Sequence, residues 1–165
     1  MSDSFSIDVR EVKKLADGLE TPQVKRIVGS ELITAGQRSG RIARDRGNQR
    51  IGNKSGNSTG RLAKSAVVGD TVGAGFTFTT DVTWNARSDK GFPYARVHHD
   101  GRGPVAVVNA KALRFVIGGQ VIFAKSVGPA AGSKYAERGL RDAGPQITAE
   151  HNRAAERIAR KVEAL

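Results

Sequence analysis

The chain has 165 residues, with 27 Lys and Arg against 16 Asp and Glu, which gives a net charge of +11. It contains no cysteine, so neither a disulfide framework nor a thiolate metal site can form. The N-terminus lacks the apolar run of a signal peptide, and no stretch approaches the roughly 20 apolar residues of a membrane helix. We therefore expect a single soluble domain over residues 1–165, synthesised in a cytoplasm.

Two helices are predicted in the N-terminal third of the chain. Apolar residues recur at helical spacing over residues 8–19, which indicates a short helix. Thr21 and Pro22 then provide an N-cap and a first helical position. Apolar residues follow on one side, so we predict a long helix over about 22–45.

A flexible basic loop is predicted after this helix, over about 47–58. Its sequence, GNQRIGNKSGNS, consists mainly of Gly, Asn and Ser and offers almost nothing to bury. From Gln37 to Lys64 there are eight basic residues and one acid, Asp45. These features indicate a basic arm that docks on a neighbour.

Strands are predicted in the middle of the chain. One or two helical turns over 59–65, capped by Ser58 or Thr59, lead into a strand candidate at 66–68. Residues 75–84 alternate strictly, with Phe76, Phe78, Val82 and Trp84 on one face and polar residues on the other. Such a period of two predicts a half-buried antiparallel strand.

Residues 113–125, LRFVIGGQVIFAK, carry the signal of a β-hairpin with a Gly118-Gly119 turn. That turn would pair Ile117 with Gln120 and Phe115 with Ile122. The predicted core face holds Leu113, Phe115, Ile117, Ile122 and Ala124. The other face is more apolar than solvent requires, which predicts a covering helix, strand or second subunit; it holds Arg114, Val116, Val121 and Phe123.

A closing helix is predicted from about Pro145 to Leu165. Its apolar stripe comprises Ile147, His151, Ala154, Ala155, Ile158, Val162 and Leu165. The fold class is therefore α+β, with a long N-terminal helix, a central antiparallel sheet with a Gly-Gly hairpin, and a C-terminal helix.

The sequence offers few candidates for a catalytic or metal-binding site. His98, His99 and Asp100 are interpreted as the end of a strand, where neighbouring side chains point to opposite faces and do not share a metal ion. No phosphate-binding loop, dinucleotide fingerprint or nucleophile elbow is present. Asp142 beside Arg141, and Glu137 beside Arg138, are interpreted as ordinary surface pairs. We expect no enzymatic activity, no catalytic residue, no metal and no cofactor.

Several segments, taken in order, resemble the head–tail joining proteins, or tail completion proteins, of tailed phages. Residues 59–65, TGRLAKS, are similar to the family's T-G-x-L-x-x-S segment. Residues 92–101 stand where the family carries Y-A-x-x-x-x-x-G, although histidine replaces the usual acid before the glycine. The hairpin is similar to that of members from phages of actinobacteria. Residues 135–140, YAERGL, stand where the family has P-F-L-x-x-A-L, without its Pro-Phe.

The resemblance implies a structural virion protein located at the neck of a phage particle. The family commonly forms a homohexameric ring that joins the DNA-filled head to the tail tube. The implied partners are a second copy of the chain, a head-side connector or stopper protein, and a tail terminator or tail tube protein. Genomic DNA would pass through the lumen without sequence-specific binding.

Two sets of residues are predicted to dock on partners or on neighbouring subunits. One lies in the basic segment and the other on the second face of the hairpin: Arg41, Arg44, Arg50, Ile51, Lys54, and Arg114, Val116, Val121, Phe123. A non-specific nucleic-acid-binding protein is the alternative, because it explains the net charge equally well. The low aromatic content and the absence of a recognised nucleic-acid-binding motif favour the structural role.

Overall fold

The computed structural model describes residues 2–6, 21–51, 60–74, 77–89, 91–108, 110–117 and 119–165. Helices and strands alternate irregularly along the chain, which confirms the predicted α+β class. The helices are α1 (Pro22–Ile51), α2 (Arg61–Lys64), α3 (Tyr94–Asp100) and α4 (Tyr135–Glu163). The strands are β1 (Ser2–Ser6), β2 (Ala66–Ala74), β3 (Thr77–Trp84), β4 (Gly101–Arg102), β5 (Val105–Ala106), β6 (Leu113–Ile117), β7 (Gln120–Ala124), β8 (Ser126–Val127) and β9 (Ala130–Ala131). The predicted helix over 8–19 lies outside the described residues.

Helix α1 begins as predicted and ends later than predicted. The Val24 amide donates to the Thr21 hydroxyl at 3.3 Å, so Thr21 caps the helix. The helix continues to Ile51, so residues 47–51, expected in the flexible loop, are helical instead. Gly47 and Ile51 are buried in this last turn, and tertiary packing overrides the weak local helix propensity. The rest of the expected loop, 52–58, lies outside the described residues.

Helix α4 begins ten residues before the predicted start at Pro145, which lies inside the helix. Proline lacks the N–H that would bond the Arg141 carbonyl, and both residues are exposed, where water can satisfy that carbonyl. Gly144 precedes the proline and lacks the Cβ that would clash with the proline ring. The predicted stripe is largely buried, although Leu165 is exposed.

The two long helices pack side by side in opposite directions. Near one end, Gly139 of α4 lies against the backbone of Gly47 in α1. Near the other end, Val24 and Val28 of α1 share a core cluster with Ile158 and Val162 of α4. This antiparallel pair forms one layer of the domain.

The second layer is a three-stranded antiparallel sheet with the order β1-β3-β2. Phe78, Thr80 and Val82 of β3 are buried, as the alternating pattern predicted for Phe78 and Val82, whereas Trp84 is half-buried. Glycines of α1 allow the sheet to approach closely: a Cβ on Gly36 would lie 2.6 Å from the Thr71 side chain.

A register shift between Val68 and Thr71 marks a bulge in β2, and the two faces of the sheet have different environments. The inner surface faces α1, where the Gln37 side-chain amide donates to the carbonyl of Gly69 at 3.0 Å. On the outer surface Val67 and Val72 remain 58% and 65% exposed. The helices therefore cover only one face of this sheet.

Two short helices also differ from the sequence-based expectation. Helix α2 has Gly60 at its N-cap position, with φ at 65°, rather than Ser58 or Thr59. His98, His99 and Asp100 belong to helix α3 rather than to a strand end. The strand interpretation was wrong because seven residues carry too few apolar positions to separate a period of 2 from one of 3.6.

Candidate assembly surface

Residues 101–131 form a long, hairpin-like extension, which we call the β-arm. Its two sides pair antiparallel in nested order. Gly101 pairs with Ala131 at the base, Val105 pairs with Val127 further out, and strands β6 and β7 form the tip. Most described residues of the β-arm are exposed, so it is a thin structure with two sides open to solvent.

The register of the tip confirms the predicted hairpin. Phe115 pairs with Ile122 and Ile117 with Gln120. Gly119 adopts a φ of 81°, a conformation that favours glycine in a tight turn.

The predicted core face of the tip is only partly buried: Leu113 and Ala124 are half-buried, but the burial predicted for Ile122 is wrong. Ile122, assigned to the core face, is 41% exposed, while Val121 and Phe123 on the opposite face are 46% and 65% exposed. Alternation shows which side chains share a face, but it does not show whether anything covers that face. The side chains of Phe115, Val116 and Ile117 lie outside the described residues.

The structure separates the predicted docking residues into different environments. On the β-arm, Arg114, Val121 and Phe123 are exposed together. On α1, Arg41 is exposed, and the Arg44 guanidinium pairs with its neighbour Asp45 at 2.8 Å.

At the end of α1, two residues expected to dock on a partner make contacts inside the subunit. Arg50 pairs with Asp142 of α4, which lowers the pKa of that carboxyl by a direct hydrogen bond. Ile51 is buried in a core cluster with Leu62 and Tyr135, so it is unavailable to a partner in this conformation. Lys54 lies outside the described residues.

Asp142 and Glu137 are not paired with the neighbours assigned from sequence. Asp142 binds Arg50, as described above, rather than Arg141. Glu137 lies 4.0 Å from the Lys134 ammonium rather than pairing with Arg138. The approach of α1 supplies the partner of Asp142, and the i, i+3 spacing at the start of α4 supplies the partner of Glu137.

The His99–Asp100 pair lies beside a cavity of about 290 Å³, whose wall includes Trp84, Arg96 and Tyr135. The His99 Nδ1 atom is 2.8 Å from the Asp100 carboxylate, which also accepts from Lys134 at 3.0 Å. His99 and Lys134 together lower the pKa of Asp100 to about 2. The arrangement joins the end of α3 to the start of α4 and holds Lys134 in its left-handed conformation.

In the described part of the chain, no nucleophile is hydrogen-bonded to His99 as a hydrolytic triad requires. His99 is buried, and its Nε2 atom has no hydrogen-bond partner among the described residues. Within those same ranges, no group of three potential ligands could hold a metal ion. The absence of a catalytic or metal-binding residue stays a prediction.

Buried carboxylates connect the two long helices. Glu31 of α1 accepts from Arg157 at 2.7 Å and from Lys161 at 2.6 Å. Glu150 of α4 accepts from Arg38 at 2.9 Å and from Arg157 at 3.3 Å. Bonds from Lys161 and Arg157 lower the pKa of Glu31. Burial alone would raise the pKa of Glu150. The ion pairs with Arg38 and Arg157 have the larger combined effect, so the pKa of Glu150 is lowered.

These carboxylates predict an acid-sensitive fold. Because folding lowers their pKa values, the unfolded chain binds more protons than the folded chain as the pH falls below about 4.5. The contribution of these carboxylates to the free energy of unfolding should therefore be complete at pH 7 and should decrease from about pH 5 toward pH 2. Chemical denaturation across this range measures it. Glu31→Gln should be less stable at pH 7 and should approach the wild type at low pH; parallel curves would contradict this assignment.

No family model, curated protein or solved structure matches the chain. The family resemblance therefore rests on the motifs themselves, which form α2, α3, the tip of the β-arm and the start of α4. In the part of the chain that the structure describes, no helix has the length and apolarity needed to cross a membrane.

Proposed function

We propose that this protein is a structural subunit of a ring at the neck of a tailed phage, between the head-side connector or stopper and the tail terminator or tail tube. The observation that carries the proposal is the β-arm, whose tip presents Val121, Ile122 and Phe123 to solvent on both faces. An isolated two-stranded hairpin is marginally stable in water. An exposed aromatic and aliphatic tip of this kind is typical of a protein–protein contact.

The rest of the described fold supports a passive structural role. The two long helices are joined by buried ion pairs and by close glycine contacts, which makes a rigid base for the β-arm. The charge excess suits a location next to genomic DNA, whose phosphates it would attract without reading sequence.

A phage in which the gene is deleted tests the neck role. Such a phage should accumulate DNA-filled heads and separate tails, and the protein supplied in trans should restore joined particles. Electron microscopy of the lysates distinguishes these products. Normal virions in the absence of the protein would contradict the proposal.

DNA binding by the purified protein separates the proposal from the nucleic-acid-binding alternative. Contact with phosphates alone predicts a dissociation constant of about 10⁻⁴–10⁻⁶ M that weakens steeply with salt. Nanomolar, sequence-selective binding at physiological salt would favour the alternative.

A further inference from the structure

The outer face of the sheet carries a patch that differs in charge from the rest of this basic chain. Asp70 lies in the β2 bulge and is exposed. Asp81 is exposed on β3, and its Cβ lies 3.7 Å from a Cβ built at Gly69, the other bulge residue. Val67 and Val72 flank them along β2. We call these four residues the acidic sheet patch.

These two carboxylates have no ion pair among the described residues, whereas most other described carboxylates do. Glu31, Asp45, Asp89, Asp100, Glu137, Asp142 and Glu150 each contact a cation within the chain. Uncompensated acids beside exposed valines, in a chain of net charge +11, form a local site that attracts a basic and apolar partner.

The tip of the β-arm has that composition. Val121 and Phe123 are exposed on one face of the hairpin, and Arg114 is exposed opposite Phe123 in the register. Lys125 follows at the end of β7 with the same parity as Val121 and Phe123, and it is exposed as well. No described acid pairs with Arg114 or Lys125. The tip thus offers two cations and an apolar surface.

We propose that the tip of the β-arm of one subunit docks on the acidic sheet patch of a second copy of the same chain, with Arg114 and Lys125 facing Asp70 and Asp81. This inference rests on the proposed ring function and identifies its subunit contact. Strand β2 lies at the edge of its sheet, so a neighbouring β-arm can approach it from the side. The two surfaces are different, so the contact is head-to-tail, and such contacts generate a ring where the rotation closes.

Charge exchange tests this contact. The arm variant, Arg114→Glu with Lys125→Glu, and the sheet variant, Asp70→Lys with Asp81→Lys, each place like charges against each other. Each should need at least about tenfold higher concentration than the wild type to assemble, because like-charge contacts in an interface are strongly unfavourable. The variant that combines all four changes restores the pairing with reversed polarity, and an equimolar mixture of the two double variants restores it with reversed and original polarity at alternate contacts. Both should assemble.

Matched controls separate this contact from effects of net charge. Arg26→Glu with Arg160→Glu changes the charge as the arm variant does, at exposed sites on α1 and α4. Glu156→Lys with Glu163→Lys does the same for the sheet variant. Both controls should assemble like the wild type. Circular dichroism identifies variants that remain folded, and sedimentation velocity at low salt measures assembly.

The possible outcomes separate failure of this contact from failure of the proposed neck role. If the wild type forms rings and the folded sheet variant assembles equally well, the contact is overturned and the neck role stands. Failure of the folded four-change variant to assemble would also overturn it. A wild type that stays monomeric at its highest soluble concentration would reject self-docking in favour of a different acidic partner, whereas the deletion phage tests the neck role independently.

Discussion

Substitution of Val121 and Phe123 by serine should abolish self-assembly and leave the fold intact. Both side chains are substantially exposed in the subunit, so their loss should change the free energy of unfolding by about 0.5 kcal/mol or less. In an assembled ring the same side chains would be desolvated, and a buried aromatic anchor contributes more than about 2 kcal/mol to such a contact. Size-exclusion chromatography with light scattering measures the loss.

A matched substitution of the same residue types provides the control. Val108 is 90% exposed on the β-arm outside strands β6 and β7, and Phe92 is 55% exposed outside the β-arm. Val108→Ser with Phe92→Ser removes a comparable exposed apolar surface and should leave assembly unchanged. Equal loss of assembly in both pairs would mean that general surface hydrophobicity, rather than the tip, drives association.

Gly139→Ala should destabilise the subunit by about 3 kcal/mol, the upper part of the range for overpacking. A Cβ at Gly139 would lie 2.4 Å from the Gly47 amide nitrogen and 2.5 Å from its Cα. These are backbone atoms, so no rotamer change relieves the clash, and helices α1 and α4 must separate at this contact. The higher helix propensity of alanine recovers only about 1 kcal/mol.

Gly29→Ala is the control for this substitution. Gly29 also lies inside a long helix, but a Cβ there would meet nothing within 4 Å. Alanine should therefore stabilise the protein by about 0.5–1 kcal/mol. Urea denaturation of the two variants measures the opposite signs; a Gly139→Ala protein as stable as the wild type would show that the helices can move apart freely.

The sequence predicted the structural features that depend on neighbouring residues alone. The start of α1 depends on Thr21 and Pro22, and the hairpin register depends on its Gly-Gly turn; both predictions are confirmed. The end of α1 could not be predicted in this way. Gly47 is helical because the Trp84 ring and Gly139 pack against it, and these contacts come from distant parts of the chain.

The candidate surface was predicted in part. Alternation along β7 placed Val121 and Phe123 together, but it wrongly assigned Ile122 to a core that does not cover it. The acidic sheet patch was missed, because the lack of an ion-pair partner at Asp70 and Asp81 and their proximity on the sheet depend on the folded structure. The bulge that exposes Asp70 beside Asp81 has no strong sequence signal beyond Gly69.

The nested pairing of the β-arm has a consequence for how such a protein can diversify. Gly101 and Ala131 are paired neighbours, so the chain leaves the domain and returns to it at nearly the same point. A β-hairpin can lengthen or shorten by matched pairs of residues without moving its base. The length and composition of the β-arm can therefore change on an unchanged helical base. In the proposed ring, such changes would alter the contact with a neighbouring subunit without altering the two helices and the sheet.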